Sequence, residues 1–263
     1  MKQRMKLLSM TAKGLGWLPD LPDKRDFFYH ITPPAQALPV IVDLRPSCPP
    51  IYDQGAEGSC VGFSTAGCLE FLHSKEGLGD RHFSEAFIYY EARALEHTAN
   101  YDSGAYLRDA IKICHTKGAC AESVMPYVAG DFATKPTKAA LAAAKLDKTV
   151  QYSRLPQDKN SMHVVLASGL PFVIGFSVYE SFMTQAVADT GDVPMPDFSR
   201  ERVVGGHAVL VVGFDDTAMP DARYIVRNSW GTAWGKYGYF TIPQAYFEDN
   251  QLADDLWVVE VIK

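Results

Sequence analysis

The texture of the chain changes near Lys148, and this constrains the fold more than any other feature of the sequence. Ahead of that point Gly and Pro are scarce over residues 59–74 and again over 84–96, and apolar residues recur at helical spacing. Phe83, Phe87, Tyr90 and Ala94 fall at steps of four, three and four, which makes one face, and Ser84 is a suitable N-cap. A third helix is expected from about Tyr106 to Lys117, ended by Gly118, and a short surface helix over Lys138 to Lys145. Behind Lys148 come short apolar runs separated by Gly, Pro and Asp: 172–178, 207–214, 223–227, 237–242 and 256–262. A helical half followed by an antiparallel half predicts an α+β protein of two lobes with a cleft between them. The expected division is an arm over 1–37, a mainly helical lobe over 38–148 and a mainly β lobe over 149–263.

At 263 residues, 47% of them hydrophobic, the chain can bury a sizeable core without covalent staples. Its formal net charge is −6, and Lys and Arg cluster only in the short start Met1 to Lys6, which argues against a nucleic-acid footprint. Proteins or peptides are the expected partners. The apolar stretch behind Lys2, Arg4 and Lys6 ends by Met10, too short for a secretory signal, so a cytoplasmic location or export by a non-Sec route is expected. The later apolar runs fall well short of the roughly 20 residues that span a bilayer. Five cysteines, Cys48, Cys60, Cys68, Cys114 and Cys120, form an odd set, so at least one free thiol is expected, and their scatter fits no zinc pattern. No metal or cofactor is called for. In the arm, Trp17, Phe27, Phe28 and Tyr29 are too many large aromatics for a solvated tail, so it should dock on the body.

Three residues carry candidate chemistry. Gln54-Gly55-Ala56-Glu57-Gly58-Ser59-Cys60 sets a cysteine where a Gly-rich turn gives way to a helix, a placement whose free N–H groups and dipole favour a thiolate. His207 opens a strand behind Gly205 and Gly206, and Asn228 follows another short strand. Singly, each has a bland reading: a core thiol, a hydrogen-bonded structural histidine, a turn former. Together they supply what cysteine catalysis needs, a thiol, a base and a third group that fixes the imidazole tautomer and plane. His207 lies 147 residues beyond Cys60 and Asn228 lies 168 beyond it, close to the about 130 to 150 typical of one such enzyme class.

Landmarks along residues 42–262 give this order a name. Gln54, Gly58-Ser59-Cys60, Phe83-Ser84-Glu85, Pro126-Tyr127, Gly206-His207-Ala208-Val209, Gly213-Phe214, Asn228-Ser229-Trp230-Gly231 and Trp234-Gly235-Lys236-Tyr237-Gly238-Tyr239 follow one another as they do in the papain family, which the sequence resembles. The resemblance implies a helical left lobe carrying Cys60, facing a β-barrel right lobe carrying His207 and Asn228. It also implies an oxyanion hole from the Gln54 amide and the Cys60 N–H, and Trp230 as cover for the Asn228 to His207 hydrogen bond. Gly104, with Ser103 beside it, stands where the family binds the substrate backbone. Gly206 is expected on the substrate-binding wall and Val61 on the primed side. The implied activity is a cysteine endopeptidase, a thiol protease working through a thioester acyl-enzyme.

Departures from the family pattern matter too. Glu57 stands where many relatives have a disulfide cysteine, and Val61 replaces the usual aromatic. If any bridge forms, Cys48 with Cys120 is the first candidate. The arm lacks the long amphipathic helix of the usual pro-domain, so residues 1–37 are read as a short pro-segment lying in the cleft, an intramolecular inhibitor of a zymogen. Two other readings stay open: a thiol acyltransferase or transamidase using the same dyad, and a non-catalytic peptide-binding pseudoenzyme.

Overall fold

Helix α1 (Cys60–Lys75) is buried without interruption from Cys60 to His73, so no face of it is left to solvent. In the computed structural model, which describes residues 13–32 and 36–262, α2 (Glu85–Leu95) and α3 (Leu107–Thr116) pack against it. The Ser84 hydroxyl caps α2 by accepting from the Phe87 N–H at 3.0 Å, as its sequence suggested. Helix α4 (Lys138–Ala144) follows on the surface of the same half. Three helices in the second half were not expected from periodicity: α5 (Lys159–Ala167), α6 (Gln185–Thr190) and α7 (Gln244–Glu248). They are short, and the clearest sequence sign for α5 is Asp158, whose carboxylate accepts from the Ser161 N–H at 2.9 Å.

The strands are β1 (Trp17–Leu18), β2 (Ile41–Asp43), β3 (Ala105–Tyr106), β4 (Thr149–Arg154), β5 (Phe172–Tyr179), β6 (Val203–Asp215), β7 (Arg223–Arg227), β8 (Tyr239–Pro243) and β9 (Ala253–Ile262). The main sheet runs β4-β9-β5-β6-β7-β8, antiparallel throughout, with β2 added to β6. Among the described residues β4 and β8 share no ladder, so the barrel expected of the β lobe is an open sheet. The outer edge of β4 is already taken: Arg154 donates its N–H to Phe27 O at 2.7 Å and accepts from the Tyr29 N–H at 2.8 Å.

Period-two alternation explains how one strand serves two cores. Ala208, Leu210 and Val212 of β6 join the cluster built around α1, whereas Val209 and Val211 join the second cluster with Phe172, Phe176 and Trp230. The strand that carries His207 is thereby fixed from both sides, and its residue 208 is turned toward the helix that carries Cys60.

Two expectations are corrected. All five cysteines are free, so the Cys48–Cys120 bridge does not form. Cys120 is buried in the helical core, and the half-buried Cys48 points its thiol at the Leu44 carbonyl, 3.5 Å away. In the arm Trp17 is buried, but Phe27 and Phe28 are 80% and 66% exposed. The arm does dock, but through Trp17, the half-buried Tyr29 with Ile31, main-chain bonds and charged neighbours, and not through Phe27 and Phe28.

Candidate active site

Ser59 precedes α1 without capping it; its hydroxyl is engaged with the Tyr127 phenol at 2.8 Å. The first-turn N–H groups therefore remain available around Cys60. Burial pushes the Cys60 thiol up to about 11, while the N–H groups of Ala208, Gly16, Val61 and Cys60 itself pull the other way. Ala208 follows His207 in β6, so the sulfur from α1 and the imidazole strand meet there.

The His207 ring is fully buried. Its Nε2 lies 2.8 Å from Asn228 Oδ1, which also accepts from the Ser229 N–H at 2.9 Å. An oxygen only accepts, so Nε2 carries the proton and Nδ1 is left as the lone-pair nitrogen. Among the described residues Nδ1 has no hydrogen-bond partner, Cys60 included. Burial lowers the His207 pKa to about 4, with the Asn228 bond opposing. Trp230 lies on the imidazole, ring centroids 4.7 Å apart at 27°, and shields the His207 to Asn228 bond from water. Burial thus disfavours the charged form of both the thiol and the imidazole.

Gln54 is oriented from two sides. Its Oε1 accepts from the Ser229 hydroxyl at 2.6 Å, and its Nε2 donates to Glu57 O at 2.8 Å and to Gly14 O at 3.1 Å. The last acceptor belongs to the arm. Gly14 also donates its N–H to Gly55 O at 3.0 Å, and the Lys13 ammonium bonds Asp53 at 3.1 Å and Trp230 O at 3.2 Å. Ala105 then donates to Gly16 O at 2.8 Å, opening the parallel pair β1·β3.

Trp17 completes the plug. A Cβ on Gly175 would stand 2.0 Å from its indole, and one on Gly206 would stand 2.4 Å from its carbonyl oxygen, so the ring sits on a floor that only glycines leave open. The indole N–H donates to Asp255 Oδ2 at 3.0 Å, and the same oxygen accepts the Asp20 N–H at 2.7 Å. Asp255 holds a left-handed backbone, φ 59°, unusual for a residue other than glycine. Further out, Asp20 accepts from the Trp257 indole at 3.0 Å, Arg108 grips Asp26 at 2.7 Å, and Arg154 bonds Asp254 at 2.7 Å and Asp255 at 3.1 Å.

Of the remaining expected site residues, Gly104 (φ 74°) touches the arm: a Cβ there would be 2.2 Å from Gly16 O. Ser103 is exposed, its hydroxyl bonded to Thr98 Oγ1 at 3.0 Å and Gly104 O at 3.1 Å within its own loop. Val61 is fully buried in the core around α1. Sequence reading missed Gly14, Gly16, Ser229 and Asp255. The signal lay in the Gly14-Leu15-Gly16-Trp17 run, since alternating glycines beside a lone Trp are what a strand needs to pass closely over a backbone.

Comparison with known proteins gives the family of the chain. The model of the papain family cysteine proteases matches residues 38–257. An uncharacterized peptidase C1-like protein of Acanthamoeba polyphaga mimivirus is 36% identical, over 97% of this chain and 89% of its own. A cathepsin B-like protein of Giardia intestinalis is 30% identical over 75% of this chain and 65% of its own. The crystal structure of xylellain, a cysteine protease from Xylella fastidiosa, superposes with a TM-score of 0.86 at 38% identity, covering 98% of this chain and all of that one. The chain belongs to the papain family of cysteine proteases, and it is a cysteine peptidase, a hydrolase.

Proposed function

We propose that the chain is an endopeptidase zymogen whose catalytic group is Cys60, with His207 as base and acid and Asn228 as its orienting partner. The proton of the Cys60 thiol passes to His207 Nδ1, and the thiolate attacks a peptide carbonyl carbon. The oxyanion is received by the Gln54 amide and the Cys60 N–H. His207 returns the proton to the leaving amine as the C–N bond breaks, leaving a thioester on Cys60. Water then attacks the thioester, giving its proton to His207, and the acid departs as the sulfur is reprotonated. The observation that carries this reading is the Asn228 Oδ1 contact with His207 Nε2, which leaves Nδ1 as the basic nitrogen.

The arm accounts for the silent state. Gly14 O occupies the Gln54 donor that the reading assigns to the oxyanion, Trp17 fills the wall at Gly206, and Gly104 and Ala105 line the edge along which an extended peptide would run. Ser103 would border that path, Val61 is withdrawn from it because it is buried in the core around α1, and Trp230 supports the triad.

A chain beginning at Leu38 should cleave peptide substrates far faster than the full chain; equal rates would remove the arm from the scheme. Cys60→Ala in that shorter chain should abolish hydrolysis with the fold intact, and persistent turnover would assign the chemistry elsewhere. Mass spectrometry of products with and without added amine separates hydrolysis from acyl transfer: free acid in both cases supports the peptidase, an amide only with amine the transferase.

A further inference from the structure

Beneath α1, away from the triad, Glu70, His82 and Glu85 each turn a ligand atom into one small volume, all within 4.8 Å of one another. Glu70 comes from α1, Glu85 from the first turn of α2, and His82 from the segment that leads into it. Glu70 is 2% and Glu85 1% exposed. One oxygen of each is accounted for: Glu70 Oε1 accepts the Phe83 N–H at 3.0 Å and Glu85 Oε1 faces His82 Nε2 at 3.1 Å. Their other oxygens, Glu70 Oε2 and Glu85 Oε2, are buried and have no partner, and neither has Glu122 Oε2 beside them.

Buried carboxylate oxygens without donors are expensive to keep. The neighbouring cation acts on them through space only: Arg227 favours the charged form of Glu70 but donates to Pro50 O and makes no hydrogen bond to the carboxylates among the described residues. Arg81 is spent on Asp147 at 2.6 Å. Three carboxylates thus share one imidazole and one indirect guanidinium. A proton shared between Glu85 and Glu122 would satisfy those two oxygens and leave Glu70 Oε2 without a partner, whereas a dication would satisfy all of them. His82 and Glu122 also line a surface hollow of about 700 Å³ together with Asp80 and Arg81, so the cluster borders solvent on that side. The donor set, one imidazole nitrogen with carboxylate oxygens, suits a borderline first-row dication, zinc foremost.

We propose that Glu70, His82 and Glu85 form a binding site for one divalent transition-metal ion, with Glu122 available as a further oxygen ligand on the solvent side. The ion would tie α1 to the start of α2 and hold the His82 ring. That ring stacks on Tyr52 (centroids 4.0 Å, 11°), two residues ahead of Gln54, so the ion would steady the segment that carries the oxyanion donor from outside the chemistry.

The test uses the full chain with Cys60→Ala, which removes the active-site thiol as a competing zinc ligand, stripped with chelator and titrated with Zn²⁺ in a calorimeter. One equivalent should bind and raise the thermal midpoint, and His82→Gln or Glu85→Gln in the same background should weaken binding at least tenfold. Absence of saturable binding, or binding that His82→Gln leaves unchanged, overturns the proposal and means that the carboxylates hold protons alone. Should Glu85→Gln fail to fold, His82→Gln decides by itself, since that side chain is 35% exposed.

Discussion

The carbonyl oxygen of Gly14 accepts the Gln54 side-chain amide at 3.1 Å, so a donor suited to a developing oxyanion is instead held by the chain's own arm. The bond serves two opposed states with one side chain. Replacing Gln54 therefore has two consequences. In a chain lacking the arm, Gln54→Ala should lower kcat about 100- to 1000-fold, the effect typical of losing one oxyanion donor. In the full chain the same change should also quicken labelling of Cys60 by iodoacetamide, because the arm loses an anchor. A kcat unchanged in the shorter chain would show that the donor lies elsewhere.

Trp17 is the largest apolar group in the plug, and it lies on Gly175 and Gly206 with its N–H on Asp255. Truncating a buried Trp costs about 3 kcal/mol or more, which at about 1.4 kcal/mol per decade is about a 100-fold shift toward the open cleft. Trp17→Ala in the full chain should accordingly raise both the Cys60 labelling rate and peptide turnover, each approaching the values of the chain begun at Leu38. Rates equal to those of the unmodified full chain would show that the indole does not hold the arm.

How the arm responds to pH follows from Asp20. Burial, then the neighbouring Asp255 carboxylate, raises the Asp20 pKa to about 7 from its ordinary 3.8, despite Arg108 and the Trp257 indole. Burial raises Asp255 as well, with the Asp20 N–H and Arg154 opposing. Arg108 and Arg154, with Asp26 and Asp254, complete the charged surroundings. A pKa raised on docking means that the docked arm binds the proton more tightly. Docking strength is then full below about pH 4 and is lost as pH rises toward 7. The ratio of full-chain to arm-less activity should climb across that interval, since dividing by the arm-less rate cancels the titration of the triad. Asp20→Asn should flatten the ratio; a ratio that falls as pH rises would contradict the sign.

The thiols make a simpler case. Burial pushes Cys48, Cys60 and Cys120 up to about 11, Cys68 up to about 12 and Cys114 higher still. The native full chain should react slowly with a disulfide reagent at neutral pH, and denaturant without reductant should release all five thiols. Three in place of five would reveal a bridge.

The extent to which the sequence foretold this structure depended on the range of the interaction. Helices α1, α2 and α3 and the long strands were readable because their periodicity is local and strong. Cys60 and Asn228 stand out in the sequence because each lies at an element boundary, at the start of α1 and just past β7, whereas His207 lies inside β6 and is marked only by the glycines ahead of it. The arm's grip was not readable, since it depends on Asp255, 238 residues from Trp17 and 235 from Asp20. Phe27 and Phe28 misled for a related reason: their burial was inferred from type, whereas Arg154 holds that stretch by its backbone. Helix α5 escaped because capping by Asp158, and not an apolar stripe, defines its start.

The plug is covalently continuous with the body through the segment that Arg108 and Arg154 clamp. Its local concentration at the cleft is therefore set by tether length, of millimolar order for short connections, and does not fall when the protein is diluted. A severed Lys13–Leu18 fragment would compete only at its bulk concentration, so one cut between the plug and the clamp would turn a permanent occupant into a ligand that washes away.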